Sequence, residues 1–246
     1  MRSLKLCVIL LLSVSLYAKS QVPYVAITSG NLLFLKGQTD ISVEFVYDGM
    51  KVSEFTEEMY LKQKKLEFRK PADYETFISK WESERATTYE PAFVKQFNMW
   101  CTRLDLVADP RQTDTKYTMI VKTVKTEPGF YNGTNGMRRD TYVTLMVNFV
   151  ATTDTNTILC SVKAEYIVGA TDVMADMTNM NLKLGLAYGS AGERISKLIV
   201  KECTKKIKET PVVNESEELK QKAVEKDKKE KKGKKGKNEE TNQEEE

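Results

Sequence analysis

The sequence lacks histidine altogether, although it is 246 residues long. Histidine is the usual general base near neutral pH and the commonest protein ligand of zinc. Its absence excludes hydrolysis by a Ser-His-Asp triad, by a Cys-His pair or by a histidine-bound zinc ion. An enzyme with this composition would have to use carboxylates for acid–base chemistry. The composition therefore favours a protein without catalytic activity but does not exclude a carboxylate-dependent enzyme.

Cysteine is scarce as well, with four residues in the chain and no Cys-x-x-Cys motif. Cys101, Cys160 and Cys203 lie outside the N-terminal segment, at apolar positions of expected helices and strands. We expect them to be buried free thiols, although an oxidising compartment would allow one disulfide. Because dispersed cysteines without histidine make a poor metal site, we expect neither a metal ion nor a cofactor.

The N-terminus has the features of an export signal. Arg2 and Lys5 give it a positive start, and residues 6–17 form an apolar run. Ala18–Ser20 then fits the small-x-small pattern of a cleavage site. We therefore expect cleavage before Gln21 and a periplasmic or extracellular location, the alternative being an uncleaved anchor. No later stretch is long and apolar enough to span a bilayer.

Charge is balanced once this segment is set aside, because the remaining chain carries 35 basic and 35 acidic residues. A neutral chain has no general attraction to nucleic acid, so we expect no nucleic-acid partner. From Glu209 to Glu246, Lys and Glu dominate and the apolar pattern stops, which predicts a disordered tail. Its block Lys226–Lys237 has eight lysines against two acidic residues. The tail either solubilises the chain or makes weak contacts with an acidic surface.

Between these segments, residues 21–208 have the patterning of one globular domain. Alternating apolar residues predict strands over Ile41–Tyr47, Tyr117–Thr126, Val143–Ala151 and Ile158–Val168, with Leu32–Leu35 as a further short strand. Helices are expected from the N-cap Thr56 to Phe68, from Pro71, from Pro91, and over Met177–Lys206. The tight connection Asp154–Asn156 predicts an antiparallel hairpin of the last two strands. The expected fold class is α+β: an antiparallel sheet of about four to five strands packed against long helices, in the order β-α-α-β-β-β-α.

Three glycines interrupt the last expected helix: Gly185, Gly189 and Gly192. Each interior glycine costs about 1 kcal/mol relative to alanine. We predict that the helix approaches the sheet closely at these positions, which would offset the cost. The same glycines do not form a dinucleotide-binding motif, because no strand directly precedes them.

Three stretches of the sequence are similar to one family: YTMIVKTVKTEPGFYNGTNGMRR (117–139), ISVEFVYDGMKV followed by EEMYLKQKK (41–65), and GLAYGSAGERISKLI (185–199). The family is a set of exported proteins of Bacteroides-type bacteria that have no established activity. The resemblance runs from Ile27 to Glu202, and Glu127–Phe130 followed by Met137–Arg139 is its most specific part. It implies export and an α+β domain, supplies no catalytic residues, and does not extend to the tail.

The candidate ligand-binding residues are Tyr131, Arg138 and Arg139. The segment Gly129–Gly136 lacks the Gly-Lys-Ser/Thr ending of a phosphate loop and joins two expected strands, so we interpret it as a long hairpin loop. Two arginines beside an aromatic residue at the tip could bind a carboxylate, sulfate or phosphate. The alternative is structural, because strand alternation would send one arginine to solvent and the other to an ion pair across the sheet.

Asp172 and Asp176 fall one helical turn apart and, with Glu165, could hold calcium or act as an acid–base pair; alternatively one of them caps the last helix. The residues together favour an exported, non-enzymatic binding or envelope-associated structural module whose partner is an unknown protein or an anionic ligand. One alternative is a small carboxylate-dependent hydrolase that acts on envelope material. The other is an adaptor that uses its lysine-rich tail to dock on an acidic surface.

Overall fold

The structure is a computed structural model that describes residues 22–132, 137–169 and 180–205. The chain divides into two units, Met1–Thr204 and Lys205–Glu246, and every described helix and strand lies in the first. The expected export signal and the Lys/Glu-rich tail from Glu209 onward lie outside the described residues. Within the described ranges, the helices are too short or too polar for any of them to cross a membrane.

Eight of the described strands form one sheet, in which β1, β10, β9, β6, β2 and β5 follow one another across the sheet. Two short strands extend it, because β3 pairs with β6 and β4 pairs with β3. Strands β7 and β8 form a separate two-stranded ribbon. The strands are β1 (Tyr24–Gly30), β2 (Asp40–Val46), β3 (Lys51–Val52), β4 (Phe55–Thr56), β5 (Val107–Asp109), β6 (Tyr117–Glu127), β7 (Phe130–Asn132), β8 (Met137–Arg139), β9 (Tyr142–Ala151) and β10 (Asp154–Val168).

The α+β class is as expected, but the predicted strand number and the entirely antiparallel pairing are wrong. Strands β1, β10, β9 and β6 pair antiparallel, which includes the predicted hairpin of β9 and β10. Strand β2, in contrast, runs parallel to both β5 and β6. The helices between β2 and β5 carry the chain back to the end of the sheet from which β2 started, so the strands that follow run in the same direction.

Two elements near the N-terminus also differ from the prediction. Strand β1 was not predicted, and the predicted strand Leu32–Leu35 contains a 3-10 turn over Leu33–Leu35. Leu32 and Leu35 are both fully buried. Their spacing of three residues suits one turn of helix, whereas the two-residue alternation of a strand would point them to opposite faces.

The helices are α1 (Glu57–Glu67), α2 (Pro71–Glu84), α3 (Glu90–Cys101) and α4 (Met180–Thr204). Thr56 caps α1 as expected, because its Oγ1 accepts a hydrogen bond from the Met59 amide at 3.3 Å. A π-helical turn over Arg85–Tyr89 joins α2 to α3. Pro91 would clash with a carbonyl of the preceding turn in a regular helix. The wider turn before it keeps the helical segment continuous.

Helices α3 and α4 cover one face of the sheet and contact each other along most of their length. A Cβ atom on Gly192 would lie 2.3 Å from the carbonyl oxygen of Phe93, and one on Gly185 would lie 2.8 Å from Cγ2 of Thr88. The glycines therefore allow α4 to approach α3 and the π-helical turn. Our prediction that they face the sheet is wrong, because the close backbone approach is between helices.

The core lies between these two helices and the sheet. The ring of Phe93 on α3 packs edge-on against Phe45 on β2, with centroids 5.6 Å apart. On α4, the side chains that face the core are fully buried and include Leu184, Tyr188, Ile195 and Ile199. The apolar faces of both helices thus pack on the sheet.

Candidate functional site

The ribbon of β7 and β8 contains all three candidate ligand-binding residues. Phe130 pairs with Arg139, and Tyr131 pairs with Arg138, in antiparallel register. The expected long hairpin loop is thus shorter, because strand pairing continues beyond Gly129. We call Phe130–Arg139 the arm. Residues 133–136 and the side chains of Tyr131 and Arg138 lie outside the part of the chain that the structure describes.

The base of the arm requires glycine at position 129. Gly129 has a φ of +71°, in the left-handed region, and a Cβ atom there would lie 2.6 Å from both the carbonyl oxygen of Arg139 and Oγ1 of Thr141. The Thr141 hydroxyl donates to the carbonyl oxygen of Pro128 at 2.8 Å. These contacts hold the two ends of the arm together where it leaves the sheet.

Glu127, the last residue of β6, lies under this base and is only 4% exposed. Its Oε1 accepts hydrogen bonds from the Ser53 hydroxyl at 3.1 Å and from the Gly129 amide at 3.2 Å. Its Oε2 accepts from Nη1 of Arg139 at 3.2 Å. One buried carboxylate therefore joins three segments of the chain: the β3–β4 turn, the start of the arm and the end of the arm.

Arg139 is the candidate residue whose side chain the structure describes in full. Its side chain is 53% exposed although it pairs with Glu127, and its guanidinium carbon lies 5.7 Å from the centroid of the Phe130 ring. Phe130 is itself 45% exposed. The ion pair both orients the guanidinium and neutralises much of its charge. Arg139 thus takes part in an ion pair of the kind that the structural alternative expected.

Ser53 and Glu127 were not among the residues singled out as candidates. Ser53 adopts a left-handed backbone conformation with a φ of 55°. Its amide donates to the carbonyl oxygen of Thr126 at 2.8 Å, which brings the β3–β4 turn onto the end of β6. A serine between Val52 and Glu54 carries no sequence signal for this role, since the partner segment lies about seventy residues away.

A second ion pair lies close to the base of the arm. Nζ of Lys125 contacts Oε1 of Glu54 at 2.6 Å, and the same ammonium lies 5.8 Å from the centroid of the Tyr142 ring. The hydrogen bond and charge of Lys125 lower the pKa of the Glu54 carboxyl below its usual range. Two ion pairs therefore lie at or near the base of the arm, Glu127 with Arg139 and Glu54 with Lys125.

Another polar cluster surrounds the π-helical turn. Glu57 accepts hydrogen bonds from the indole N–H of Trp81 at 2.6 Å and from the Arg85 guanidinium. The guanidinium carbon of Arg85 lies 4.6 Å from the centroid of the Tyr47 ring, and burial raises the pKa of Tyr47 far above its usual range. Although π-helical turns are frequent at functional sites, these charged groups satisfy one another, which indicates a structural role.

The three cysteines are free and buried, as expected. Burial raises the pKa of Cys101 to about 12 and that of Cys160 to about 11. Burial also raises the pKa of Cys203, whose Sγ lies 3.3 Å from the carbonyl oxygen of Leu32. A nucleophilic cysteine needs an accessible thiolate, and these thiols are protonated and enclosed at neutral pH.

Of the three carboxylates considered for acid–base or calcium chemistry, the structure describes only Glu165. Asp172 and Asp176 lie outside the described residues. Glu165 accepts a hydrogen bond from the Tyr24 hydroxyl and pairs with Nζ of Lys163 at 2.6 Å, and both partners lower the pKa of its carboxyl. A general acid needs the opposite shift. Among the residues that the structure describes, no group of three potential ligands fits a metal site.

No protein-family model matches the chain, and no curated protein matches it. Two solved structures that align with it are PelC dodecamers from Paraburkholderia phytofirmans, one of them a leucine-to-methionine variant. Sequence identity is 10% in both alignments, which cover 70% of this chain, all of the variant chain and 98% of the other. The TM-scores are 0.30 and 0.31 respectively, so the similarity assigns no residue and no activity to this chain.

Proposed function

We propose that this chain is an exported, non-enzymatic binding module whose arm contacts the partner. The observation that carries the proposal is the buried carboxylate of Glu127, which accepts hydrogen bonds from Ser53, Gly129 and Arg139 at the base of the arm. Burying a carboxylate is unfavourable unless it is fully hydrogen-bonded. A buried anion that fixes a surface ribbon therefore supports a role that requires the ribbon to hold one orientation.

The described side chains of the arm suit contact with another molecule. Phe130 exposes an apolar ring, and Arg139 places a guanidinium over that ring while retaining most of its N–H donors. An arginine stacked on an aromatic ring is pre-organised for carboxylate or aromatic groups. Because Glu127 already neutralises Arg139, the second arginine, Arg138, would supply the net positive charge of the arm.

Cross-linking followed by mass spectrometry in native envelope extracts tests this proposal. The full-length chain is compared with a truncation after Lys208 and with the double variant Phe130→Ser and Arg138→Ser, which leaves the Glu127–Arg139 pair intact. The matched control is Leu66→Ser with Lys122→Ser, which also removes one exposed apolar and one basic side chain. We expect the truncated and control chains to retain a specific partner and the arm variant to lose it.

Two outcomes would contradict the proposal. A partner captured only by the full-length chain would assign binding to the tail and support the adaptor. A partner retained by the arm variant would place the contact elsewhere on the domain. Fractionation of cells that produce the full chain tests export separately, since the proposal requires the mature chain outside the cytoplasm.

A further inference from the structure

A cleft lies at the opposite end of β6 from the arm. It has a volume of about 540 Å³ and is lined by residues that follow β1, precede β6 and connect β9 to β10. The lining side chains that bear on its chemistry are Asn31, Phe34, Lys116, Tyr117, Thr153 and Leu159. Small-molecule sites typically have volumes of about 300–1,000 Å³, so the cleft is large enough for a single-ring compound.

The apolar wall of the cleft is formed by aromatic and aliphatic side chains. The rings of Phe34 and Tyr117 lie 4.8 Å apart, with their planes inclined at 55°. Leu159 on β10 continues the wall. Nζ of Lys116 lies 5.3 Å from the centroid of the Tyr117 ring. A positive charge therefore stands beside the apolar surface on which a ring would pack.

Two of the polar groups left available in the cleft can only donate, the ammonium of Lys116 and the NH₂ group of Asn31, while the hydroxyls of Tyr117 and Thr153 can donate or accept. Oδ1 of Asn31 already accepts from the Leu33 amide at 3.0 Å, which leaves the NH₂ group of Asn31 to donate. The Thr115 hydroxyl is committed, since it donates to the carbonyl oxygen of Tyr117 at 2.8 Å. The lining contains no acidic side chain, and no carboxylate in the described part of the chain pairs with Lys116.

We infer that this cleft binds a small aromatic carboxylate, with its ring against Phe34 and Tyr117 and its carboxylate paired with Lys116. The Lys116 ammonium and the Asn31 NH₂ group, with no acidic side chain in the lining, favour a ligand that is negatively charged and rich in hydrogen-bond acceptors. A sugar of the same size would bring several hydroxyl donors, for which the free side chains of the lining offer only the Tyr117 and Thr153 hydroxyls as acceptors. An aromatic carboxylate brings no donor, which matches the cleft. The site is separate from the arm and does not depend on the arm's function.

Titration of the full-length chain by NMR, with benzoate as the probe, tests the inference. Benzyl alcohol serves as a neutral probe of similar size, and D-glucuronate as a sugar carboxylate. The variant Lys116→Gln removes the charge from the cleft, while Lys122→Gln removes an exposed lysine of β6 that lies outside the cleft. We expect benzoate to bind more tightly than either other probe, and Lys116→Gln to weaken it about tenfold, as loss of a charge-assisted hydrogen bond predicts.

Several results would overturn the inference. One is that benzoate does not bind, and another is that benzyl alcohol binds as tightly as benzoate or that D-glucuronate binds more tightly. A third is that Lys116→Gln and Lys122→Gln weaken benzoate binding equally. The arm variant Phe130→Ser with Arg138→Ser should bind benzoate like the unmodified chain. Benzoate binding that survives in this variant while the envelope partner is lost would show that the two sites are independent.

Discussion

At the C-terminal end of β6, the guanidinium of Arg139 donates to the buried carboxylate of Glu127, whereas at the N-terminal end Lys116 lies beside Tyr117 with no carboxylate partner among the described residues. A neutralised cation thus lies at one end of β6, and a cation without a carboxylate partner among the described residues lies at the other. The difference separates two uses of positive charge. The first cation holds a ribbon in place, and the second remains available to a ligand.

The two ends of β6 also differ in which side chains form hydrogen bonds with nearby backbone groups. At the arm, an ionised group accepts from the Gly129 amide and from side chains. At the cleft, the neutral Thr115 hydroxyl accepts from the Ser42 amide at 3.2 Å and donates to the carbonyl oxygen of Tyr117. Hydrogen bonds to charged groups are about twice as strong as neutral ones. The comparison therefore predicts that the arm end is the more costly to disrupt.

The largest effect is expected for Glu127→Ala. This change leaves the Gly129 amide and the Ser53 hydroxyl without their acceptor and opens a cavity, so we expect a loss of about 3 kcal/mol in the free energy of unfolding. Urea unfolding followed by circular dichroism measures it, with the exposed Glu54→Ala as the control. A loss smaller than that caused by Thr115→Val would reverse the predicted order of the two ends.

Thr115→Val is expected to be intermediate. The substitution keeps the shape of the side chain but removes the acceptor for Ser42 and the donor to Tyr117, at a cost of about 2 kcal/mol. The same unfolding measurement applies, and Thr153→Val removes an exposed hydroxyl near the same end as a control. Equal effects of the two valine substitutions would show that the Thr115 hydroxyl network does not stabilise this end.

Arg139→Ala and Lys116→Ala compare the two cations directly. Loss of Arg139 leaves Glu127 with two of its three described donors, so we expect a destabilisation of about 1 kcal/mol. Lys116→Ala should change the free energy of unfolding by less than about 0.5 kcal/mol, as is usual for surface positions. Equal losses measured by urea unfolding would contradict the distinction between a structural and an available cation.

The smallest effect concerns the ion pair between the exposed Glu54 and Lys125 beside the arm. Lys125 lowers the pKa of Glu54 in the folded state, so the pair stabilises the fold above the ordinary carboxyl pKa and ceases to do so as pH falls through the lowered value. We expect Glu54→Gln to lower the melting temperature slightly at pH 7 and not at pH 2. If the difference in melting temperature between the two chains instead grew as the pH is lowered, the ion pair would not stabilise the fold in the way that the lowered pKa of Glu54 predicts.

Much of the sheet could be predicted because its patterning is local. Strands β9 and β10 alternate apolar and polar residues along their length and are joined by a tight turn, so both their existence and their pairing follow from the sequence. Strand β1 escaped prediction because Val25, Ala26 and Ile27 are consecutive apolar residues without alternation. The parallel pairing of β2 with β6 depends on a crossover of more than sixty residues, which no local pattern records.

The candidate site was predictable only in part, for the same reason. The arginines and aromatic residues of the arm stand out in the sequence, as does the strand that precedes them. The partner of Arg139 does not, because the contacts of Glu127 include Ser53 from a distant turn, which no local pattern records. Likewise, the spacing of Gly185, Gly189 and Gly192 reveals a close approach but not that its partner is α3 rather than the sheet.

The position of α4 in the chain has a consequence for how the protein is made. The buried side chains of Leu184, Tyr188, Ile195 and Ile199 complete the core, and they follow every strand of the sheet in order of synthesis. Until they have emerged, the inner faces of β9 and β10 have no helix to cover them. The domain therefore reaches its stable state only after α4 has been synthesised.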